Sequence, residues 1–229
     1  GCVDSENTTV VVNPVPDAVV SNGGPYCAGE TVQLTAGGGG TYSWAGPAGF
    51  SSSSATPTIT AATTGVSGTY TVVVTGSGGC TDVASTVVTV NPLPSVICSN
   101  NGPCCTGDSI LLSALGASDY TWAGPGGFSS NSQTPVLTSA QLTHAGTYTV
   151  VGTDLNGCMN SANTTVVVNQ SPDVSIAGDN ELCDGETVVL TATGAANYSW
   201  NTGAATASIT IGGIASDTYI VTGSNGSCT

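Results

Sequence analysis

The sequence contains neither lysine nor arginine, and a single histidine faces 14 aspartates and glutamates in 229 residues. Salt bridges to Lys or Arg are therefore excluded, so stability has to come from apolar burial, backbone hydrogen bonds and covalent links. A formal charge of −14 repels nucleic acid and anionic lipid. Hydrophobic runs of membrane length are also absent. We therefore expect no nucleic-acid partner and no insertion into a membrane.

Catalytic and metal-binding patterns are missing as well. His144 alone cannot form a Cys/His zinc site, and no Cys-x-x-Cys spacing occurs. The carboxylates are scattered over turns rather than paired as in a glycosidase. The segment 179–186, DNELCDGE, places four acids within eight residues, and Ca²⁺ binding there is the alternative to four solvated turn acids. The sequence otherwise predicts no cofactor and no enzymatic activity.

The chain is rich in glycine, with 32 residues, and in alternating runs of Val, Thr and Ser. This pattern favours many short strands joined by tight turns, and no stretch has the 3.6-residue periodicity of a helix. Nine cysteines without metal-ligand spacing indicate an oxidising compartment. We therefore expect an all-β protein that is secreted and lies outside the cell or at its surface.

An internal repeat of 78 residues dominates the chain. The residues that recur at this spacing are Trp44, Trp122 and Trp200, and Cys27, Cys105 and Cys183. The third copy is shortened between its tryptophan and its tyrosine. The predicted segments are 1–14, the last strand of a preceding or neighbouring repeat; 15–92, repeat 1; 93–170, repeat 2; and 171–229, repeat 3, which is shortened and lacks its last strand.

Each repeat has about seven predicted strands, the number of an immunoglobulin-like (Ig-like) β-sandwich. One strand carries the tryptophan, and a later strand carries a tyrosine at the place of a tyrosine corner. The predicted core aromatics are Trp44, Trp122, Trp200, Tyr70, Tyr148 and Tyr219. Short linkers with proline, such as VNPVP, predict tandem sandwiches in a linear rod, each in contact with its neighbours alone.

Several motifs in a fixed order carry a family resemblance: C-x-G-E-T-V-x-L-T-A, Y-S-W, G-P-x-G-F-S-S, G-T-Y-T-V and G-C. They resemble the Ig-like and PKD-like repeats of very large secreted proteins of Bacteroidota, which occur in adhesins and cell-surface filaments. The resemblance covers all three repeats, although the third has W-N-T-G in place of W-A-G-P. It implies a non-enzymatic structural or adhesive role and brings no catalytic residues with it.

The cysteines allow two pairing schemes, and the sequence favours neither. Pairing within repeats would join Cys27 with Cys80, Cys105 with Cys158, and Cys183 with Cys228. Pairing between repeats would join Cys27 with Cys158 and Cys105 with Cys228, and would leave Cys2 and Cys80 with partners upstream and Cys183 with one downstream. Cys98 and Cys104 are predicted to form a private pair of repeat 2, and Cys2 to be the inter-unit or intermolecular cysteine.

These features predict a structural or adhesive segment of an extracellular filament or giant adhesin, whose partners are neighbouring repeats or copies of itself. The alternative is a set of carbohydrate-binding accessory repeats of a secreted enzyme, which would bind surface glycans through Tyr26, Phe50 and Phe128. Residues 1–14 supply a last strand that repeat 3 lacks. This indicates either a window of a longer array or subunits joined by strand donation, and the duplication of Cys228 by Cys2 favours the longer array.

Overall fold

The structure is a computed structural model that describes residues 1–212 and 217–229. The chain divides into two compact units: Gly1–Pro94 together with Asp154–Met159, and Ser95–Thr153 together with Asn160–Thr229. Three separate hydrophobic clusters lie inside these units, one in each predicted repeat. No helix of the described residues is long and apolar enough to cross a membrane.

The first repeat contains two sheets and a short parallel pair of strands. Its strands are β1 (Val19–Asn22), β2 (Tyr26–Cys27), β3 (Val32–Gly37), β4 (Thr41–Ala45), β5 (Ser51–Ser52), β6 (Thr58–Ile59), β7 (Gly68–Thr75), β8 (Thr81–Val88) and β9 (Val90–Asn91). One sheet has the order β1-β3-β6 and the other has the order β5-β4-β7-β8, while β2 pairs with β9 in parallel. Short 3₁₀ turns lie at Pro47–Gly49 and Thr64–Val66.

The second repeat has the same organisation. Its strands are β10 (Ile97–Asn100), β11 (Cys104–Cys105), β12 (Ile110–Leu115), β13 (Asp119–Gly124), β14 (Phe128–Ser130), β15 (Val136–Leu137), β16 (Gly146–Thr153), β17 (Met159–Val166) and β18 (Val168–Asn169). The sheets have the orders β10-β12-β15 and β14-β13-β16-β17, and β11 pairs with β18 in parallel. The 3₁₀ turns are Pro125–Gly127 and Leu142–His144.

In the described residues, the third repeat keeps three strands in its first sheet but has two instead of four in its second. They are β19 (Ser175–Ala177), β20 (Thr187–Thr193), β21 (Asn197–Trp200), β22 (Ser208–Gly212) and β23 (Val221–Ser224). One sheet has the order β19-β20-β22, and β21 pairs with β23 alone. Within the described part of the chain, repeat 3 therefore has no counterpart of β8 and β9.

This strand order is that of an Ig-like sandwich, which confirms the fold class expected from the sequence. In such sandwiches the first, second and fifth strands share one sheet, and the third, sixth and seventh share the other. The division between β1-β3-β6 and β4-β7-β8 is the same. The alternation of side chains along each strand explains why two sheets face each other across a core. Val32, Leu34 and Ala36 of β3 are buried, while the residues between them face solvent. The linear rod stays a prediction.

Each of the three clusters contains one tryptophan: Trp44, Trp122 and Trp200 are at most 3% exposed. Each indole N–H donates to a backbone carbonyl oxygen: Trp44 to Ser54 at 2.9 Å, Trp122 to Ser132 at 3.0 Å, and Trp200 to Thr206 at 2.9 Å. The indole ring is therefore buried without leaving its one polar group unpaired.

The tyrosines follow the same pattern in the first two repeats. Tyr70 and Tyr148 are fully buried, and their hydroxyls donate to the carbonyl oxygens of Val66 at 2.7 Å and His144 at 2.9 Å. This is the hydrogen bond of a tyrosine corner. Phe50 packs edge-on against the Tyr70 ring with centroids 5.2 Å apart. A Cβ atom at Gly46 would lie 2.4 Å from that ring, which explains the glycine that opens the G-P-x-G-F turn. Tyr219 is half-buried.

Candidate functional site

Two disulfides join consecutive repeats. Cys27 is bonded to Cys158 across 131 residues of sequence, with 5.5 Å between the Cα atoms. Cys105 is bonded to Cys228 across 123 residues, with 5.7 Å between the Cα atoms. In each bond one cysteine ends the short parallel strand of a repeat, and the other lies in the hairpin turn that follows β16 or β23 of the following repeat. We call these two positions the strand cysteine and the hairpin cysteine.

Pairing within repeats is wrong for Cys27 and Cys105, and the strand register gives the physical reason. Cys27 lies opposite Asn91 at the far end of the last strand, whereas Cys80 immediately precedes Thr81 at its beginning. A step of eleven residues along the extended chain, from Cys80 to Asn91, separates these ends by about 35 Å. A disulfide requires Cα atoms within about 7 Å, so the two cysteines of one repeat cannot meet.

The strand cysteines share one turn that holds their backbone in place. In each copy the cysteine N–H donates to a carboxylate oxygen three residues later, and the N–H of that acidic residue donates back to the cysteine carbonyl oxygen. The first bonds are Cys27 to Glu30 at 2.7 Å, Cys105 to Asp108 at 2.9 Å, and Cys183 to Glu186 at 3.2 Å. Cys183 is thus presented like the two bonded strand cysteines, although it is an exposed free thiol.

The hairpin cysteines also share a turn. The carbonyl oxygen of Cys80 accepts a hydrogen bond from the N–H of Gly76 at 2.9 Å, and that of Cys158 accepts one from Asp154 at 2.9 Å. The residue before each cysteine is a glycine with a φ of +82°, Gly79 or Gly157, a left-handed conformation that favours glycine. Cys80 therefore has the backbone presentation of Cys158, but it carries a free thiol.

The predicted pair of Cys98 and Cys104 is not formed in the structure, where both are free thiols. They occupy the positions of the repeat 1 core residues Val20 and Tyr26. Cys104 is 5% exposed, and Cys98 packs against the same hydrophobic cluster. Their strands pair with different partners, β10 with β12 and β11 with β18. Both cysteines therefore serve as small apolar core side chains.

Burial also makes these two thiols poor nucleophiles. It raises the pKa of Cys98 and, together with the nearby Asp108 carboxylate, that of Cys104. A raised pKa keeps the thiol protonated at neutral pH, whereas the thiolate is the reactive form. We expect iodoacetamide to label Cys2, Cys80 and Cys183 in the native protein. Labelling of Cys98 and Cys104 should require denaturant, as peptide mass spectrometry would show; equal labelling of all five would contradict their burial.

The last strand closes the core of the first two repeats. Val88 of β8 and Val90 of β9 are 1% and 4% exposed. The N–H groups of Tyr26 and Ala28 donate to carbonyl oxygens of this strand at 2.9 and 2.8 Å. Asp82 near its start accepts the N–H of Ala18 at 2.9 Å, a bond that lowers the pKa of the carboxyl group. The last strand is thus hydrogen-bonded both to the segment around β2 and to Ala18, which directly precedes β1.

Repeat 3 has an open cleft of about 810 Å³ in this place. Among the residues that line it are Val188, Leu190 and Tyr219. All three are only half-buried, whereas their counterparts in repeat 1, Val32, Leu34 and Tyr70, are fully buried. Apolar side chains of the repeat 3 core thus line one part of the cleft, beside the carboxylates of Asp179, Asp184 and Asp217. The sequence already predicts that repeat 3 lacks its last strand, but it does not predict the cleft.

Residues 1–14 contain a segment of the matching kind. By the 78-residue spacing, Val10 and Val12 correspond to the buried Val88 and Val90, yet they are 81% and 88% exposed. None of the first 14 residues lies in a β-strand. Asn13 contacts repeat 1 twice: its side-chain amide donates to the Gly78 carbonyl oxygen at 3.4 Å, and its own carbonyl oxygen lies 3.6 Å from the Cys80 Sγ atom.

The aromatic residues proposed for glycan binding do not form an exposed platform. Tyr26 is 9% exposed and belongs to the core of repeat 1, and its hydroxyl accepts the Gly23 N–H at 2.8 Å. Phe50 and Phe128 are half-buried and stand edge-on against the corner tyrosines. In residues 1–212 and 217–229, no cluster of three His, Cys, Asp or Glu side chains could hold a metal ion.

No protein-family model matches the chain, and neither does any curated protein. Among solved structures it is similar to the amphioxus IgVJ-C2 molecule, with 14% identity, 62% of this chain and 99% of that chain covered, and a TM-score of 0.31. It is also similar to the three N-terminal domains of the highly immunogenic outer capsid protein of bacteriophage RB49. That match has 17% identity, covers 92% of this chain and 86% of that chain, and has a TM-score of 0.33. The fold assignment rests on the strand order.

Proposed function

We propose that this chain is a non-enzymatic structural and adhesive segment of an extracellular surface filament or giant adhesin, as the resemblance to Bacteroidota repeats implies. The observation that carries the proposal is the pairing of Cys27 with Cys158 and of Cys105 with Cys228. Each bond adds a second covalent connection between successive repeats, beside the peptide linker. Such a connection resists extension and unfolding, and it persists in an oxidising compartment outside the cell.

Strand donation is the second part of the proposed function. Residues 1–14 of a second copy enter the cleft of repeat 3 as the strand corresponding to β8 and β9. Val10 and Val12 then face Val188, Leu190 and Tyr219, as Val88 and Val90 face the core of repeat 1. Burying two exposed valines contributes about 1.5 to 3 kcal/mol each. The donated backbone also pairs with the edge of β23 that faces away from β21. In the described residues that edge has no partner strand.

The acidic residues of the segment favour the same register. Asp4 corresponds to Asp82 by the 78-residue spacing, and Asp82 accepts the N–H of Ala18. The counterpart of Ala18 in repeat 3 is Val174, so Asp4 would accept the Val174 N–H after docking. The hydrogen bonds of the donated strand thus repeat those of the internal strand, in addition to the two valine contacts.

Charge substitutions on alternate residues test strand donation. Val10→Asp with Val12→Asp puts two carboxylates on the inward face, and we expect about 100-fold weaker self-association, because at least about 3 kcal/mol of apolar burial is lost. The matched control is Val11→Asp, because Val11 corresponds to the exposed Thr89. Light scattering after size exclusion and negative-stain microscopy measure the assemblies. If the inward pair and the control assemble equally well, strand donation is wrong.

A further inference from the structure

At the junction of repeats 2 and 3, one asparagine lies beside both cysteines of the disulfide. Asn169 at the end of β18 pairs with Cys105 in the parallel ladder, and its carbonyl oxygen accepts the Thr106 N–H at 2.9 Å. The Sγ atom of Cys228 lies 3.9 Å from the same carbonyl oxygen. The end of the last strand therefore brings the strand cysteine and the hairpin cysteine of successive repeats together.

Half of this arrangement recurs at Asn13. The Sγ atom of Cys80 lies 3.6 Å from the carbonyl oxygen of Asn13, and Asn13 corresponds to Asn91 and Asn169 at the 78-residue spacing. Cys80 is thus placed against Asn13 as Cys228 is placed against Asn169. What differs is the strand cysteine opposite the asparagine, because the described residues hold none opposite Asn13.

Cys183 fits the other half. It is a free strand cysteine whose turn has the acidic hydrogen bond of the two bonded ones, and it lines the open cleft of repeat 3. A strand docked in that cleft with the register of β9 and β18 would place its asparagine opposite Cys183, since Cys27 pairs with Asn91 and Cys105 with Asn169. In residues 1–14 that asparagine is Asn13.

We infer that docking of one copy on another, the strand donation of the proposed function, brings Cys80 of the donor copy to Cys183 of the acceptor copy, where the two form a disulfide. The two thiols lose two protons and two electrons, and a new S–S bond forms. The electrons pass to a disulfide oxidant, such as oxidised glutathione, which is reduced to two thiols. The product is a head-to-tail chain of copies in which every junction has the covalent pattern of the internal ones.

The other free cysteines do not compete for this bond. Cys2 lies at the opposite end of the donated strand, about 35 Å from Asn13 along an extended backbone. Cys98 and Cys104 are held in the core of repeat 2. Cys80 and Cys183 are therefore the two thiols that strand donation brings into contact.

The test uses the full chain with Cys2→Ser as background, incubated with oxidised glutathione and analysed on a non-reducing denaturing gel. We expect a ladder of covalent multimers that dithiothreitol removes. Adding Cys80→Ser or Cys183→Ser should abolish the ladder. A mixture of these two variants should stop at a covalent dimer. Each chain keeps only one of the two thiols, so a bonded pair of chains has no thiol left to extend the ladder. A chymotryptic peptide containing the Cys80–Cys183 bond identifies the link by mass.

Two outcomes separate this inference from the proposed function. Light scattering that shows assemblies, with no ladder on the gel, would overturn the disulfide and leave strand donation standing. The Val10→Asp and Val12→Asp pair should slow ladder formation about 100-fold, because docked thiols react at an effective concentration of about 1 mM and free chains at about 10 μM. A ladder that forms equally fast in this variant would mean random oxidation and would contradict the docked geometry.

Discussion

Removing the Cys105–Cys228 disulfide is expected to lower the free energy of unfolding by about 5 kcal/mol. The bond closes a loop across 123 residues of sequence, and a crosslink of that span strongly reduces the conformational entropy of the unfolded chain. The chain has no Lys or Arg, and the described residues of its third repeat form a small core cluster of three buried residues, so few other contacts offset the loss. The experiment is urea unfolding of Cys105→Ser/Cys228→Ser, followed by fluorescence.

The matched control is Cys80→Ser/Cys183→Ser, measured on monomeric fractions. It removes one hairpin cysteine and one strand cysteine, the same two positions, but neither thiol is bonded within the described chain. We expect its unfolding midpoint to lie close to that of the parent chain. Equal destabilisation of both double variants would show that the crosslink between repeats 2 and 3 does not contribute to stability.

Trp122→Ala is expected to cost about 3 to 5 kcal/mol of stability, the range for truncating a large buried aromatic side chain. The indole is fully buried, and its N–H donates to the Ser132 carbonyl oxygen. Truncation therefore leaves a cavity at the centre of the repeat 2 cluster and removes the hydrogen bond to that carbonyl group. Urea unfolding monitored by circular dichroism measures the change.

Leu111→Ala is the control for this substitution. Leu111 lies on β12, in the other sheet of the same repeat, but is 47% exposed, so its truncation opens no enclosed cavity and should cost less than about 1 kcal/mol. A Trp122→Ala variant that loses no more stability than Leu111→Ala would contradict the position of Trp122 in the sandwich core.

Most of the fold could be predicted from local patterns in the sequence. The recurring tryptophan strand and the Thr-Tyr strand predict two sheets with a core between them, and Trp44 and Tyr70 lie in that core. The glycine of the G-P-x-G-F turn is required because Gly46 lies against the Tyr70 ring. These features depend on neighbours within one repeat, so that the alternation of side chains and the turn residues suffice to predict them.

The roles of the cysteines depend on longer distances. Cys98 and Cys104 have the spacing of a local pair, but they replace the core residues Val20 and Tyr26 and remain thiols. Sequence spacing does not reveal that their strands pair with different partners. Likewise, the sequence alone allows Tyr26 and Phe50 to form an exposed platform, and only their packing against the core shows that they do not.

The sequence by itself determined the repeat, the Ig-like sandwich and the positions of its core aromatics, because each follows from short-range periodicity. Only the tertiary structure decided that strand cysteines bond the hairpin cysteines of the next repeat, since the two cysteines of one repeat lie at opposite ends of its last strand. It also located the cleft of repeat 3 and the contact of Cys80 with Asn13, where the described residues hold no strand cysteine opposite the asparagine. Both are formed by chain segments that are far apart in sequence, and the spacing of residues along the chain does not give the distance between such segments.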